Sequence, residues 1–242
     1  MDDKPTPTFD CQVEQITPLG ADVYQVDLTL PANCKTGFAP GQYLLLAADA
    51  DDSFSPFSIA SAPQQLPRLS LHILARDNSV PAQLIQRLRS SGTAQVRLPF
   101  GDVRLQDDEQ PLLLIAAGTG LAQMHSMLES CRMAGCKHQI MLYWGAKNED
   151  DFYHVSAAGQ WRQMPNLRLH KIVSHDDSWH GRSGLLYEAV CQDIKDFSGM
   201  RVYVSGSPTM VYATLDALVA AGMQREQMNA DVFSYAPRSN QA

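Results

Sequence analysis

The sequence lacks several features that would assign the protein to a specialised class. Its 242 residues include five cysteines, an odd number with no C-x-x-C pair, so we predict no disulfide framework and no metal site. The formal net charge is −7, which argues against a nucleic-acid-binding surface. The polar N-terminus at residues 1–5 has the pattern of neither a signal peptide nor a membrane anchor. We therefore expect a cytoplasmic protein with no nucleic-acid and no membrane partner.

The chain is long enough for two domains, and its hydrophobic pattern changes near residue 107. Before that point, short stretches of alternating apolar and polar residues are separated by turn residues, which indicates a small antiparallel β-barrel. After the acidic stretch 106–111, apolar strands alternate with helical patterns, which indicates an α/β domain with a parallel sheet. We place the two domains at residues 1–107 and 108–242. The strands of the second are predicted to begin near Leu112, Ile140, Leu167 and Val202.

The first domain is predicted to contain six strands and one helix. The helix covers residues 79–88, where the apolar residues change to a helical period. The segments predicted as strands are 9–16, 22–28, 43–48, 57–61, 68–75 and 94–98.

An unbroken apolar run, Leu112–Ala117, ends in the glycine turn, residues 118–120, and passes into a helical pattern. Such a run predicts a strand buried on both faces of a parallel sheet, and the following helix start offers free N–H groups to an anion. The turn departs from the dinucleotide fingerprint, because Gln123 stands where a third glycine is expected and no acidic residue closes the next strand. A turn that only lets a strand pack against a helix would explain the same residues, so both alternatives stay open.

Six short motifs follow one another along nearly the whole chain. They are F-A-P-G-Q-Y at 38–43, S-P-F-S-I-A-S at 55–61, G-T-G-L-A at 118–122, Y-W-G-A-K at 143–147 with Asp151, G-R-S-G at 181–184, and S-G-S-P-T-M at 205–210. In this order they resemble the motifs of the ferredoxin-reductase superfamily, most closely those of the NAD(P)H:flavin oxidoreductases. The resemblance implies two domains, an N-terminal antiparallel β-barrel that binds flavin and a C-terminal α/β parallel-sheet domain that binds NAD(P)H.

The resemblance also implies which residues contact the two substrates. Ser58, in the flavin loop (residues 55–61), is expected to be the catalytic residue, because its counterpart hydrogen-bonds near flavin N5, the atom that accepts the hydride. An aromatic segment at 231–235 is expected near the flavin ring, with a plain edge strand as an equal alternative. The expected flavin contacts are Pro56, Phe57, Ser58, Ile59, Ala60, Ser61, Phe233 and Tyr235. The expected nucleotide contacts are Gly118, Thr119, Gly120, Lys147, Ser205, Gly206, Ser207, Pro208 and Met210.

Three positions depart from the family pattern. Ser55 replaces an arginine that contacts the flavin phosphate, so we expect a weakly held, exchangeable flavin (FMN, FAD or riboflavin). Ser205 replaces a cysteine, and Gln123 replaces a proline. Lys147 could favour a 2′-phosphate, but the sequence does not decide between NADH and NADPH.

Three functions are compatible with these motifs. The first is an enzyme that reduces free flavin with NADH or NADPH, its partners being the two substrates and a flavin-dependent oxygenase or other acceptor protein. The second is a flavoprotein subunit that passes electrons to an oxygenase or an iron–sulfur partner, although this chain has no C-x₄-C-x₂-C run for a fused ferredoxin. The third is a flavin-binding module without activity. We expect the first.

Overall fold

The computed structural model describes residues 6–238 and divides the chain into two compact units. The first unit takes in the chain up to Leu105 together with His125–Met133, and the second comprises Gln106–Met124 and the chain from Ala134 onward. The polar segment 1–5 lies outside the described residues. The domain boundary at 107/108 stays a prediction. Nothing in the sequence pattern predicted that His125–Met133 would belong to the first unit.

The first unit is built around a six-stranded antiparallel barrel, and it also contains one complete α-helix and residues 125–133 of a later helix. Its elements are β1 Thr8–Gly20, β2 Val23–Thr29, β3 Tyr43–Ala47, β4 Ser55–Ser58, β5 Arg68–Leu74, α1 Val80–Ser91 and β6 Thr93–Phe100. The strands follow the order β4-β3-β6-β1-β2-β5. The sheet closes because Ile59, just after β4, forms an antiparallel bridge to Leu71 of β5. This barrel is the fold predicted for the N-terminal part of the chain.

Alternation along the strands places one face of each strand in the barrel core. In β2, Val26 and Leu28 are fully buried, and in β3 the same holds for Leu44 and Leu46. Several boundaries differ from the predicted ones, and the largest difference is in β1, which continues to Gly20 instead of ending at residue 16. Strand β6 continues through Pro99 instead of ending before it, and β4 ends at Ser58 because the chain then crosses to β5.

The second unit is an α/β structure around a six-stranded parallel sheet. Its strands are β7 Leu112–Ala117, β8 Ile140–Ala146, β9 Leu167–Val173, β10 Arg182–Ser183, β11 Arg201–Ser205 and β12 Met228–Asn229. The remaining helices are α2 Leu121–Ala134, α3 Ala158–Trp161, α4 Leu186–Asp193, α5 Pro208–Ala220 and α6 Val232–Tyr235. Helix α2 begins in this unit, while its residues 125–133 belong to the first.

The sheet order β10-β9-β8-β7-β11-β12 places β7 between β8 and β11. Residues Leu112–Ala116 of β7 are buried, as predicted for a strand covered on both faces. Ala117 pairs with Gly145 of β8, and Ala116 pairs with Ser205 of β11. The carboxyl ends of three strands that carry predicted nucleotide motifs are therefore neighbours.

Across residues 6–238, no helix is both long enough and apolar enough to cross a membrane.

Candidate functional site

The flavin loop presents only its first half to solvent. Pro56 is exposed, and Phe57 and Ser58 are partly exposed, whereas Ile59, Ala60 and Ser61 are buried. Ser58 is the last residue of β4 and lies opposite Tyr43 of β3. Its hydroxyl thus sits at the seam where the barrel closes, on a backbone with neighbours on both sides.

The buried half of the flavin loop is tied into the barrel by its backbone. The N–H of Ile59 donates to the carbonyl of Gln42 at 3.1 Å, and the N–H of Ala60 donates to the carbonyl of Ser70 at 2.7 Å. The N–H of Ser70 in turn donates to Oγ of Ser61 at 3.1 Å. The N–H groups of Ile59 and Ala60 are therefore used within the protein.

Gln42 is a structural residue to which the sequence analysis assigned no role. Its side chain is buried, accepts a hydrogen bond from the N–H of Ala39 and donates one to the carbonyl of Gly101, both at 2.8 Å. Its carbonyl is also the acceptor for Ile59. The glutamine of the F-A-P-G-Q-Y motif therefore joins three segments around the loop, and its place in the motif was the signal that could have identified it.

The two positions of the glycine turn favour glycine for different physical reasons. A Cβ on Gly120 would lie 2.2 Å from the carbonyl oxygen of Ser205, so this position needs glycine for close packing between backbones. Gly118 has φ of +53°, and a Cβ built on it would meet no atom within 4 Å. Packing thus explains Gly120. The open backbone at Gly118, at the carboxyl end of β7, fits the approach of a ligand.

Trp144 anchors the glycine turn, a role that was not predicted. Its indole Nε1 donates to the carbonyl of Gly118 at 3.2 Å, and its side chain is buried. The rings of Phe152 and Tyr153 pack edge-on against it at 4.8 and 5.1 Å between centroids. The Lys171 ammonium lies 4.5 Å from the centroid of Phe152. The tryptophan inside the Y-W-G-A-K motif was the available signal.

The first turn of α5 is exposed and capped. Ser207 precedes the helix and its Oγ accepts a hydrogen bond from the N–H of Met210 at 3.4 Å, while Pro208 occupies the first helical turn. The helix has 13 residues, and the positive end of its dipole suits a negatively charged group. This start lies directly after Ser205 and Gly206, beside the glycine turn on the neighbouring strand.

Lys147 follows the carboxyl end of β8 and is exposed. Its carbonyl accepts a hydrogen bond from the N–H of His175 at 2.9 Å, which fixes the backbone there. Residues Gly118, Lys147 and Ser205 therefore lie at the ends of adjacent strands in the second unit. Whether their side chains contact a nucleotide stays a prediction.

The C-terminal aromatic segment is helical. Residues Val232–Tyr235 form α6, so the alternative of a plain edge strand was wrong. Phe233 is partly buried with its ring 5.7 Å from that of Tyr212, and Tyr235 is 65% exposed. Both belong to the second unit, and their contact with a flavin stays a prediction.

Gln123, which replaces the proline of the family pattern, is buried and has a specific partner. Its Nε2 donates to the carboxylate of Asp231 at 2.7 Å. Asp231 directly precedes α6, so this bond connects the helix after the glycine turn to the aromatic segment. The glutamine that departs from the family pattern thus makes a specific side-chain hydrogen bond in the structure.

The G-R-S-G motif holds β10 against α4. Arg182 forms an ion pair with Asp193 and donates to the carbonyl of Ala189 at 3.0 Å. This hydrogen-bonded guanidinium lowers the pKa of Asp193, and burial followed by a hydrogen bond to Asp193 raises the pKa of Tyr143. The motif is accounted for by these contacts within the fold.

Known proteins resemble this chain along most of its length. Residues 114–216 match the family model of the oxidoreductase NAD-binding domain. The chain is 30% identical to the CDP-6-deoxy-L-threo-D-glycero-4-hexulose-3-dehydrase reductase of Yersinia pestis, over 93% of this chain and 69% of that protein. It is 29% identical to the NAD(P)H-flavin reductase of Vibrio harveyi, over 94% of this chain and 99% of that protein. Among solved structures, the ferredoxin reductase in carbazole 1,9a-dioxygenase has a TM-score of 0.81 at 20% identity, over 96% of this chain and 70% of that one. At this identity, the similarity shows a shared fold.

Proposed function

This chain belongs to the NAD(P)H-flavin oxidoreductases of the ferredoxin-NADP reductase superfamily, and we propose that it reduces a flavin that binds and leaves as a substrate. The observation that carries the proposal is the flavin loop, which presents the Ser58 hydroxyl on a partly exposed strand end with fixed backbone on either side. The match that spans 99% of a flavin reductase agrees with this function.

The flavin loop fits a flavin ring at Pro56, Phe57 and Ser58, the part of the loop that solvent reaches. When the substrates are bound, the nicotinamide supplies a hydride and the flavin accepts it at N5. Ser58 holds the ring in place through a hydrogen bond near that atom, and a positioned donor of this kind favours charge that develops there. No side chain has to act as an acid or a base in the hydride transfer.

The nucleotide fits the carboxyl ends of β7, β8 and β11. The backbone at Gly118 is open toward the ligand side and is held by the indole of Trp144. The exposed start of α5 offers the positive end of the helix dipole to the pyrophosphate. In this proposal, Lys147 adds positive charge near the same edge.

A second candidate function is electron delivery from NAD(P)H to a protein acceptor, such as an oxygenase or an iron–sulfur partner. The 30% identity to the CDP-6-deoxy-L-threo-D-glycero-4-hexulose-3-dehydrase reductase favours this second function, because that protein is named as the reductase of another enzyme. In that case the flavin would remain bound through each turnover. A cytoplasmic location is part of the main proposal, because the reaction consumes free flavin and NAD(P)H.

The colour of the dialysed protein separates the two candidates. An exchangeable substrate predicts a colourless protein that oxidises NADH or NADPH only when riboflavin, FMN or FAD is added. A stoichiometric yellow colour after dialysis would favour the electron-transfer subunit. Side-by-side rates with both nucleotides and all three flavins then name the preferred pair.

Ser58→Ala tests the proposed role of the hydroxyl. We expect kcat to fall about tenfold or more while KM for flavin changes less, because the bond matters most as charge develops at N5. Ser90→Ala is the control, since Ser90 is an exposed serine of α1 that bonds to the carbonyl of Gln86 in its own helix. An unchanged kcat in Ser58→Ala would refute the role.

A further inference from the structure

The carbonyl groups just beyond Ser58 are bound by two consecutive side chains of α2. The imidazole Nδ1 of His125 lies 2.8 Å from the carbonyl oxygen of Ala60, and Oγ of Ser126 donates to the carbonyl of Ser61 at 2.7 Å. All of these residues belong to the first unit. The flavin loop is therefore held on its N–H side by the barrel and on its carbonyl side by a helix.

The imidazole of His125 has one protonation state that fits these contacts. A carbonyl oxygen only accepts hydrogen bonds, so Nδ1 carries a hydrogen atom and donates it to Ala60. The ring of the neighbouring His72 packs nearly perpendicular to it, with 5.2 Å between centroids. Burial lowers the pKa of both rings, which keeps His125 neutral and directed at the loop.

The strand that carries Ser58 is short. Strand β4 has four residues, and its ladder with β3 ends at Ser58. The geometry of this strand end therefore also depends on how the residues after Ser58 are held. Two of their carbonyl groups are fixed by hydrogen bonds from residues 65 positions away in the sequence.

We propose that His125 and Ser126 are positioning residues for the flavin loop, which hold the Ala60 and Ser61 carbonyls so that the strand end at Ser58 keeps one geometry. The inference rests on the proposed function, because it assumes that the flavin loop contacts flavin. Loss of either bond lets the loop shift, and small displacements of a positioning group are costly to the reaction.

The next turn of α2 offers a matched control. Ser130 lies four residues after Ser126 and is also buried, but its Oγ donates to the side chain of Gln64 at 3.4 Å, and among residues 6–238 it has no hydrogen bond to a carbonyl of the flavin loop. Ser130→Ala removes a hydroxyl from the same helix without releasing the loop backbone. It is expected to leave both KM values and kcat unchanged.

The test compares His125→Leu, His125→Asn and Ser126→Ala in steady-state kinetics. Leucine removes the donor, whereas the amide nitrogen of asparagine occupies nearly the place of Nδ1 and can still donate to Ala60. A single hydrogen bond is worth about 0.5–1.5 kcal/mol, so we expect His125→Leu and Ser126→Ala to lower kcat/KM for flavin about three- to tenfold. KM for NAD(P)H should stay within about twofold, and His125→Asn should recover most of the loss.

Each outcome decides for or against the inference. Unchanged flavin kinetics in His125→Leu and Ser126→Ala would overturn it, as would an equal loss in Ser130→Ala or no recovery in His125→Asn. If His125→Leu does not fold, Ser126→Ala compared with Ser130→Ala tests the inference by itself. Ser58→Ala, measured in parallel, keeps the two proposals apart. If Ser58→Ala leaves the kinetics unchanged while His125→Leu impairs them, only the role of Ser58 is refuted. If Ser58→Ala impairs the kinetics while His125→Leu does not, only the positioning role of His125 and Ser126 is refuted.

Discussion

Lowering the pH from 8 to 5 is expected to destabilise the first unit through its pair of neutral histidines. His72 lies on β5, is 6% exposed and packs against the ring of His125. Burial, and secondly the neighbouring His125, lowers the pKa of His72 from 6.5 to about 3. Burial also lowers the pKa of His125, although the Ala60 carbonyl and Glu129 act in the opposite direction, and Arg132 adds to the lowering.

The sign and size of the effect follow from these pKa values. The unfolded chain binds a proton at each histidine below about pH 6.5, whereas folded His72 stays neutral down to about pH 3. Neither histidine therefore lowers the free energy of unfolding above about pH 6.5. Below that pH, down to the pKa of the folded state, each histidine lowers the free energy of unfolding by at most about 1.4 kcal/mol per pH unit. At pH 5, His72 alone accounts for about 2 kcal/mol, and His125 acts in the same direction.

Hydrogen exchange can measure this loss in the first unit alone. Peptides from β5, followed by mass spectrometry and corrected for the intrinsic effect of pH on exchange, report its opening free energy. The three tryptophans all lie in the second unit, so tryptophan fluorescence in urea follows that unit separately. The second unit has its own pH dependence, which this assay reports separately, because burial lowers the pKa of His170 there, while arginine partners lower the pKa values of Asp193 and Asp216.

His72→Phe isolates the contribution of one histidine, because phenylalanine keeps an aromatic edge against His125 but cannot bind a proton. We expect the opening free energy of β5 in this variant to depend less steeply on pH, by up to about 1.4 kcal/mol per pH unit. Equal slopes in the variant and the parent protein would refute the reasoning, whatever their absolute stabilities. A parent protein with no loss of protection between pH 8 and 5 would refute it as well.

Three substitutions test other parts of the structure. Gly120→Ala should destabilise the second unit by about 1–3 kcal/mol, because the new Cβ would lie 2.2 Å from the Ser205 carbonyl; an unchanged urea midpoint in tryptophan fluorescence would contradict this. Ser55→Arg should lower KM for FMN more than KM for riboflavin through a new phosphate contact, and equal effects would show that the position does not reach the phosphate. Gln123→Leu removes the 2.7 Å bond to Asp231 and should cost about 1–3 kcal/mol in the same urea assay, where no shift would count against the bond.

Local patterns in the sequence predicted most of the fold. The apolar run at β7 and the alternation along β2 and β3 reflect burial on two faces or on one, which any single strand shows by itself. The start of α5 at Pro208 is likewise local, because proline fits the first turn of a helix and Ser207 caps it. Such features need no knowledge of distant residues.

The contacts that shape the site were not predictable in the same way. His125 binds Ala60 across 65 positions of sequence, and Gln123 binds Asp231 across 108. Polar residues in a helical pattern show no partner in the sequence, so nothing marked His125 as different from a surface histidine. The segment 231–235 was ambiguous for another reason, because so few residues fit a helical turn and a strand equally well.

The replacement of arginine by Ser55 and the anchoring of the flavin loop support the same mode of binding. A flavin held by its phosphate can help to order the loop around it, but at Ser55 there is no cation to supply that energy. Among the described contacts, Arg97 is the only arginine whose guanidinium lies over the ring of the adjacent Phe54. Its Nε donates a hydrogen bond to Oγ1 of Thr8. The loop must then be ordered by the protein itself, and the bonds to Ala60 and Ser61 do this before any ligand arrives. A preorganised loop costs a weakly bound ligand no ordering entropy on entry, which suits a flavin that binds and leaves in every turnover.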